Sequence, residues 1–481
     1  MSAGTGGANH APLLENILTL NPVEQTAAPV RVAGVIPPYV RGTCLLNGAG
    51  RHVSGDFHYR HWLDGDGMLS ALSIGSDAVR FTNRFVRSAK YVREQAEGKP
   101  VFRGFGTSFT GDRMGGRGIG LESPVNVSVY PFAGKLLAFG EQGLPYEIDP
   151  VTLDTIGLYT FDGQLNEVTP FSAHAKIDRG TGELFNFGVS FSAEHPTMNV
   201  YRFGSDGKLV YRRRWGLPYP SSTHDFAISE RHIAFYISPF TLRMDALMRD
   251  GATLIDGLSW RPELHSRLMI ASRETGALEC SIDVGVGHVL HLVNAFEQGA
   301  HVVVDVVLFP QPLYPEYQVM PDLFSDSFQG HPVRFVVDVA SATIVERRDL
   351  AYASSPDFPS HDPDLVGKQY DHFWMLGISH SGKPGRKFFD RLVRVDWSTG
   401  RTEEAVAPPL HYFGGEPMFI PDPTSPGSRG VVVCGQFDAE RVATAFVMFD
   451  AFALAKGPIA TMSLASPIQP QFHSTFRKAS T

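Results

Sequence analysis

Short runs of β-branched and aromatic residues recur along the chain, and many are closed by one kind of polar turn: DPVTLDT at Asp149, DRGTGEL at Asp178, GSDGKLV at Gly204, DVASATI at Asp338 and DWSTGRT at Asp396. Asp bonds nearby backbone amides through its side chain and Gly supplies positive φ, the two requirements of a tight hairpin. Each turn lies between two strand-like runs, as LVRVD precedes WSTGRT. Hairpins at a spacing of roughly forty residues predict an all-β chain made of propeller blades, although the repeat is too degenerate for the blades to be counted. Long helical periodicity is nearly absent. Its best candidates are Thr241 to Arg249 and a short piece near Tyr314 to Phe324, which makes 239–262 and 310–328 the candidate cap segments over the propeller. No linker divides the chain, so 1–481 reads as one domain, with 1–20 as a flexible N-terminus.

Charged residues make up 19% of the 481 and the net charge is −8, so no basic stripe offers a surface to a phosphate backbone; nucleic acid is not an expected partner, and no obligate protein partner is implied. The three cysteines, Cys44, Cys280 and Cys434, are odd in number and far apart. That argues against a disulfide framework or a zinc–thiolate site and for the reducing cytoplasm. The first twenty residues have no basic start followed by an apolar run, and no stretch approaches the length of a membrane span. Between Pro239 and Trp260, however, Leu242, Leu247, Met248, Leu254, Leu258 and Trp260 are interrupted by few charges. This segment reads equally as an apolar lip making peripheral contact with one membrane leaflet and as a buried cap.

The candidate chemistry lies in four histidines within distinctive phrases: His174 in PFSAHAKIDRGTGELF, His224 in STHDFAISE, His291 in HLVNAFEQG and His473 in QFHSTF. Neutral imidazole suits Fe, Zn, Cu and Ni, so residue type alone does not choose a metal. DGDG at Asp64 to Gly67 is not a calcium loop, because its twelfth position is Gly75 where a bidentate Glu is needed; a tight acidic turn is the better reading. No Walker loop or dinucleotide fingerprint occurs, and no organic cofactor is expected.

Together with RHWLDGDGM at Arg60 to Met68, EQGLPYEIDP at Glu141 to Pro150 and GGEPMFIPDP at Gly414 to Pro423, these phrases resemble the carotenoid cleavage oxygenase family from about Asn47 to Phe476. The resemblance implies a seven-bladed β-propeller in which His174, His224, His291 and His473, each from a different blade, hold one non-haem Fe(II). It also implies three carboxylates that orient the rings: Glu141 for His224, Glu416 for His473, and Asp357, standing where the family has Glu, for His291. Asp is one methylene shorter, so Asp357 is expected to need a backbone shift or a bridging water, and Asp357→Glu to be tolerated or mildly beneficial.

Four ligands leave one or two positions of a six-coordinate iron for O2, and the implied reaction is cleavage of an electron-rich C=C bond into two carbonyl products. Relatives that cleave stilbenes or phenylpropenoids bind the phenol through a Lys immediately before the first of these acids and a Tyr in an earlier phrase. Here those positions hold Gly140 and Phe105. The expected substrate is therefore an apolar polyene, a carotenoid or apocarotenoid, with stilbene or phenylpropenoid cleavage as the alternative. Phe102, Phe105, Phe109 and Phe226 are candidate tunnel-lining aromatics beside Gly140, and each by itself reads as well as blade core. A non-catalytic scaffold and a retinoid-ester isomerase are the remaining alternatives, separable by metal assay and product analysis.

Overall fold

The computed structural model describes residues 11–114, 122–192, 194–247, 252–313, 320, 323–325, 328–379, 385–425 and 427–479. Seven antiparallel sheets of four or five strands form a seven-bladed propeller, with two short two-stranded sheets in addition. The expected turns join its strands: Asp149 accepts from the amides of Val151 and Thr152, both at 2.8 Å, between Tyr146–Ile148 and Thr155–Leu158. Asp338 does the same for Ala340 and Ser341 between His331–Asp338 and Thr343–Asp349.

Blades 2 to 6 follow one another along the chain, and their first strands are Ser128–Phe132, Lys176–Asp178, Ala227–Ile228, His288–Gln298 and Ser355–His361. Blade 7 begins with His411–Pro421, and its far edge is supplied by the N-terminal strand Arg31–Gly34. Blade 1 is composite in the opposite sense. The C-terminal strand His473–Lys478 pairs with Gly42–Arg51, with Asn47 opposite His473, while Gln25–Pro29 forms the outer edge. The two ends of the chain thus interlock across adjacent blades, and the ring closes by hydrogen bonding rather than by a loop. Apolar clusters fill the spaces between blades, as where Phe226, Phe187 and Phe235 meet between blades 3 and 4.

Residues 11–20 are docked, contrary to the expected flexible N-terminus, whose first ten residues lie outside the described ones. Ala11, Leu14 and Ile17 are fully buried in the largest core cluster, and the Asn16 side chain donates to the carbonyl of Ala439 at 2.9 Å. Apolar burial of Ile17 and Leu18 on one face of the short helix Glu15–Leu18 holds this segment in place.

The cap over 239–262 is a small hairpin. Phe240–Leu242 pairs with Leu258–Trp260, and the short helices Met244–Leu247 and Leu254–Gly257 lie between them, the second opened by a Thr253–Asp256 capping box. The helix expected over Thr241 to Arg249 is accordingly shorter, because pairing with Leu258–Trp260 takes its start, and 248–251 lie outside the described residues. Leu242 and Leu247 are buried and, with Leu254 and Leu258, turn inward onto a cavity. Leu254, Leu258 and Trp260 are only partly buried, and Met248 lies outside the described residues. Of 310–328, Leu313, Leu323 and Phe324 join the core; 314–319, 321–322 and 326–327 lie outside the described residues. No helix among the described residues is long and apolar enough to cross a membrane.

Candidate metal centre

Propeller geometry brings residues distant in sequence to one axis, because every blade points its first strand inward. His174 sits two residues before the first strand of blade 3, and His224 three residues before that of blade 4. His291 lies within the first strand of blade 5, and His473 opens the strand that completes blade 1. One ring nitrogen from each of the four lies within 4.8 Å of all the others, in the sole group of this kind among the described residues. His174 Nε2 and His224 Nε2 are 2.9 Å apart, and His291 Nε2 is buried with no hydrogen-bond partner. Two nitrogens that bind one ion at right angles, each at about 2.1 Å, stand about 3 Å apart, so the donor set fits a metal ion.

The remaining three blades supply carboxylates. Glu141, in the loop after strand Lys135–Phe139 of blade 2, faces His224 Nδ1 at 2.8 Å. Asp357 of blade 6 faces His291 Nδ1 at 2.6 Å, and Glu416 of blade 7 lies 3.5 Å from His473 Nδ1 while accepting from the Ser474 amide at 3.1 Å. Each carboxylate acts on the nitrogen remote from the cluster, the arrangement that fixes a ring's tautomer and leaves Nε2 as the donor atom.

Irregular backbone delivers these side chains. The ladder shifts register between Asp357 and Ser360, between Gly414 and Met418, and twice around His291 to Leu292, so three blades are bulged where they meet the site. Phe358 has φ 52° and its amide donates to Asp357 Oδ1 at 2.8 Å; this strained step, rather than a water, carries the short Asp to its ring. Gly415, at φ 87°, plays the same part before Glu416, in a backbone region that suits glycine.

One residue the sequence reading missed is Asp225, which is buried beside His224. Its Oδ1 lies 3.7 Å from His174 Nδ1 and 2.8 Å from the Lys176 ammonium, and its Oδ2 accepts from the Leu292 amide at 2.9 Å. The adjacency His224–Asp225 was legible, but the blade-to-blade contact was not.

Burial and the neighbouring rings hold His174 well below the ordinary imidazole range, and burial also lowers His473. Burial acts the same way on His291, but the Asp357 carboxylate reverses it and raises that ring.

A cavity of about 380 Å³ opens beside the cluster, with His224, His291, His473, Phe105, Phe171, Phe358 and Phe472 in its wall and the cap leucines above. Of the five candidate tunnel positions only Phe105 lines it. Phe226 is fully buried against Phe187 and Phe235 as blade core, and Phe109 stacks edge-on against Phe57. Phe102 forms a bridge with Arg113, and its amide bonds Glu94 at 3.1 Å. Gly140 is packed so tightly that a Cβ would stand 1.9 Å from Ser123 Oγ, so its neighbours Ser123 and Glu141 form the wall instead. Phe105 is placed by the acidic turn: Asp64 accepts from the amides of Phe105 at 2.5 Å and Gly106 at 3.2 Å and from the Thr107 hydroxyl at 2.5 Å. The Phe105 carbonyl in turn accepts from Ile255 of the cap at 3.2 Å.

Proteins of known activity or structure are similar to this chain. The chain is 30% identical to the apocarotenoid-15,15'-oxygenase of Synechocystis over 92% of each chain. It is 28% identical to the isoeugenol monooxygenase of Pseudomonas nitroreducens, over 96% of this chain and 97% of that one. The crystal structure of cobalt-substituted Synechocystis ACO superposes with a TM-score of 0.85 at 27% identity, covering 97% of this chain and 98% of the other. Residues 20–478 match the family model described as retinal pigment epithelial membrane protein, and the chain belongs to that family of carotenoid oxygenases.

Proposed function

We propose that the protein is a non-haem iron(II) dioxygenase that cleaves a C=C bond of a carotenoid or apocarotenoid with O2, giving two aldehyde or ketone products. His174, His224, His291 and His473 would hold the iron, whose chemistry when bound is to activate dioxygen. The protein's own part is to orient and to exclude. Glu141, Asp357 and Glu416 hold the ring tautomers, the cap leucines and Phe105 keep water from the alkene, and the aromatic wall packs on a flat conjugated chain. The observation that carries the substrate class is the wall itself: Phe105 presents no hydroxyl, and Gly140 offers no side chain that could bind a phenolate. The buried, unpaired Cys44, Cys280 and Cys434 accord with a reducing compartment.

A phenol held against Phe105 and Gly140 loses water without the hydroxyl and ammonium partners that phenol-cleaving relatives supply at those two positions, a cost of about 1–3 kcal/mol, or roughly ten- to a hundredfold in relative efficiency. Apocarotenals and 4-hydroxystilbenes, assayed side by side with the iron-loaded protein, should therefore differ by that factor in kcat/KM in favour of the polyene. A higher efficiency on the stilbene would overturn the substrate class and leave the metal reading standing.

A further inference from the structure

Three of the four clustered rings have a carboxylate that the sequence could assign. His174 has none, yet a ring that binds a metal through Nε2 carries its proton on Nδ1 and needs an acceptor there. We infer that Asp225, backed by Lys176, is the positioning carboxylate for His174 and the tie that fixes three of the ligand-bearing segments relative to one another; this rests on the reading of the four histidines as one metal site.

The geometry is specific. Among the described residues Asp225 is the only carboxylate paired with His174 Nδ1, at 3.7 Å. That is long for a direct bond, and a small ring rotation or one bridging water closes it. Its second oxygen takes the Leu292 amide at 2.9 Å, one residue from His291. That amide is available because the ladder is interrupted on both sides of Leu292. Lys176, two residues beyond His174, places its ammonium 2.8 Å from Oδ1. One side chain adjacent to His224 thus touches the segments that bear His174 and His291. Lys176 competes with His174 for the same oxygen, so the two residues of the pair have opposite effects on the ring: the carboxylate draws the Nδ1 proton and raises ligand basicity, and the ammonium restrains it.

The test uses the full-length protein stripped of metal and titrated with cobalt(II), whose visible spectrum reports ligand geometry, with thermal unfolding of the metal-free form followed in parallel. Asp225→Asn keeps an acceptor for Leu292 but loses the charge; it should weaken cobalt binding about ten- to a hundredfold and shift the visible bands. Lys176→Gln should lower unfolding temperature as well, yet hold or raise cobalt affinity. A purely structural role predicts that both variants lose affinity in step with stability, and that result would overturn the inference, as would Asp225→Asn with unchanged affinity and spectrum. Should Asp225→Asn not fold, a fall in the affinity of Lys176→Gln decides against the inference and a hold or rise decides for it. Absence of stoichiometric cobalt binding by the unaltered protein would instead remove the metal reading itself.

Discussion

Asp357→Glu is the sharpest perturbation of the site, because sequence and structure give it opposite signs. By length alone, the longer side chain should reach His291 more easily and be tolerated. In the folded chain Asp357 is buried, already 2.6 Å from His291 Nδ1, and its Oδ1 also takes the Phe358 amide at 2.8 Å. An added methylene must therefore push either the ring or the bulge, and overpacking a buried site costs about 1–3 kcal/mol. Loss of the amide bond, with the Phe358 N–H left buried, adds a cost of the same order. If half of the overpacking strain falls on the metal-binding form, affinity drops roughly twofold to twelvefold, at about 1.4 kcal/mol per decade. Cobalt or iron titration of the metal-free protein, with denaturant unfolding of the same samples, measures both parts. Equal or tighter metal binding with unchanged stability in Asp357→Glu would refute the argument that the bulge at Phe358, rather than side-chain length, brings this carboxylate to its ring.

His291→Ala should abolish metal binding and activity while the propeller stays folded, and Glu141→Gln and Glu416→Gln should lose about ten- to a hundredfold in affinity or activity; metal analysis and activity of purified variants check both. Phe226→Ala should cost about 3–5 kcal/mol of stability without changing the relative efficiency on different polyenes, whereas Phe105→Ala should alter that selectivity at a smaller stability cost, as unfolding and competition assays would show. Burial pushes the His288 pKa down to about 3, so below the unfolded value of about 6.5 the unfolded chain takes up a proton that the native chain refuses. Stability should then fall by about 1.4 kcal/mol per pH unit on this account from pH about 6 toward about 3, and His288→Gln should flatten the acid limb by that amount in denaturant titrations at successive pH values.

Turn chemistry made the strand-rich architecture legible, because turns are local properties of the chain, whereas the four histidines as one site and the acids Glu141, Asp357 and Glu416 were read from phrases that resemble the carotenoid cleavage oxygenase family. The blade count came from family resemblance, since the degenerate repeat leaves no countable period. What a side chain faces was not legible. Phe105 and Phe226 are alike in sequence, yet one lines the cavity and the other fills a blade core, because Phe105 sits in a loop held by Asp64 while Phe226 is packed between blades against Phe187 and Phe235. Asp225 was visible beside His224, but its contacts with His174 and Leu292 arise only when blades 3, 4 and 5 close around one axis. The docking of residues 11–20 was hidden for the same reason: the apolar surface that Ala11, Leu14 and Ile17 cover is assembled from elements hundreds of residues away. Tertiary structure decided these points because they depend on through-space neighbours that no local pattern encodes.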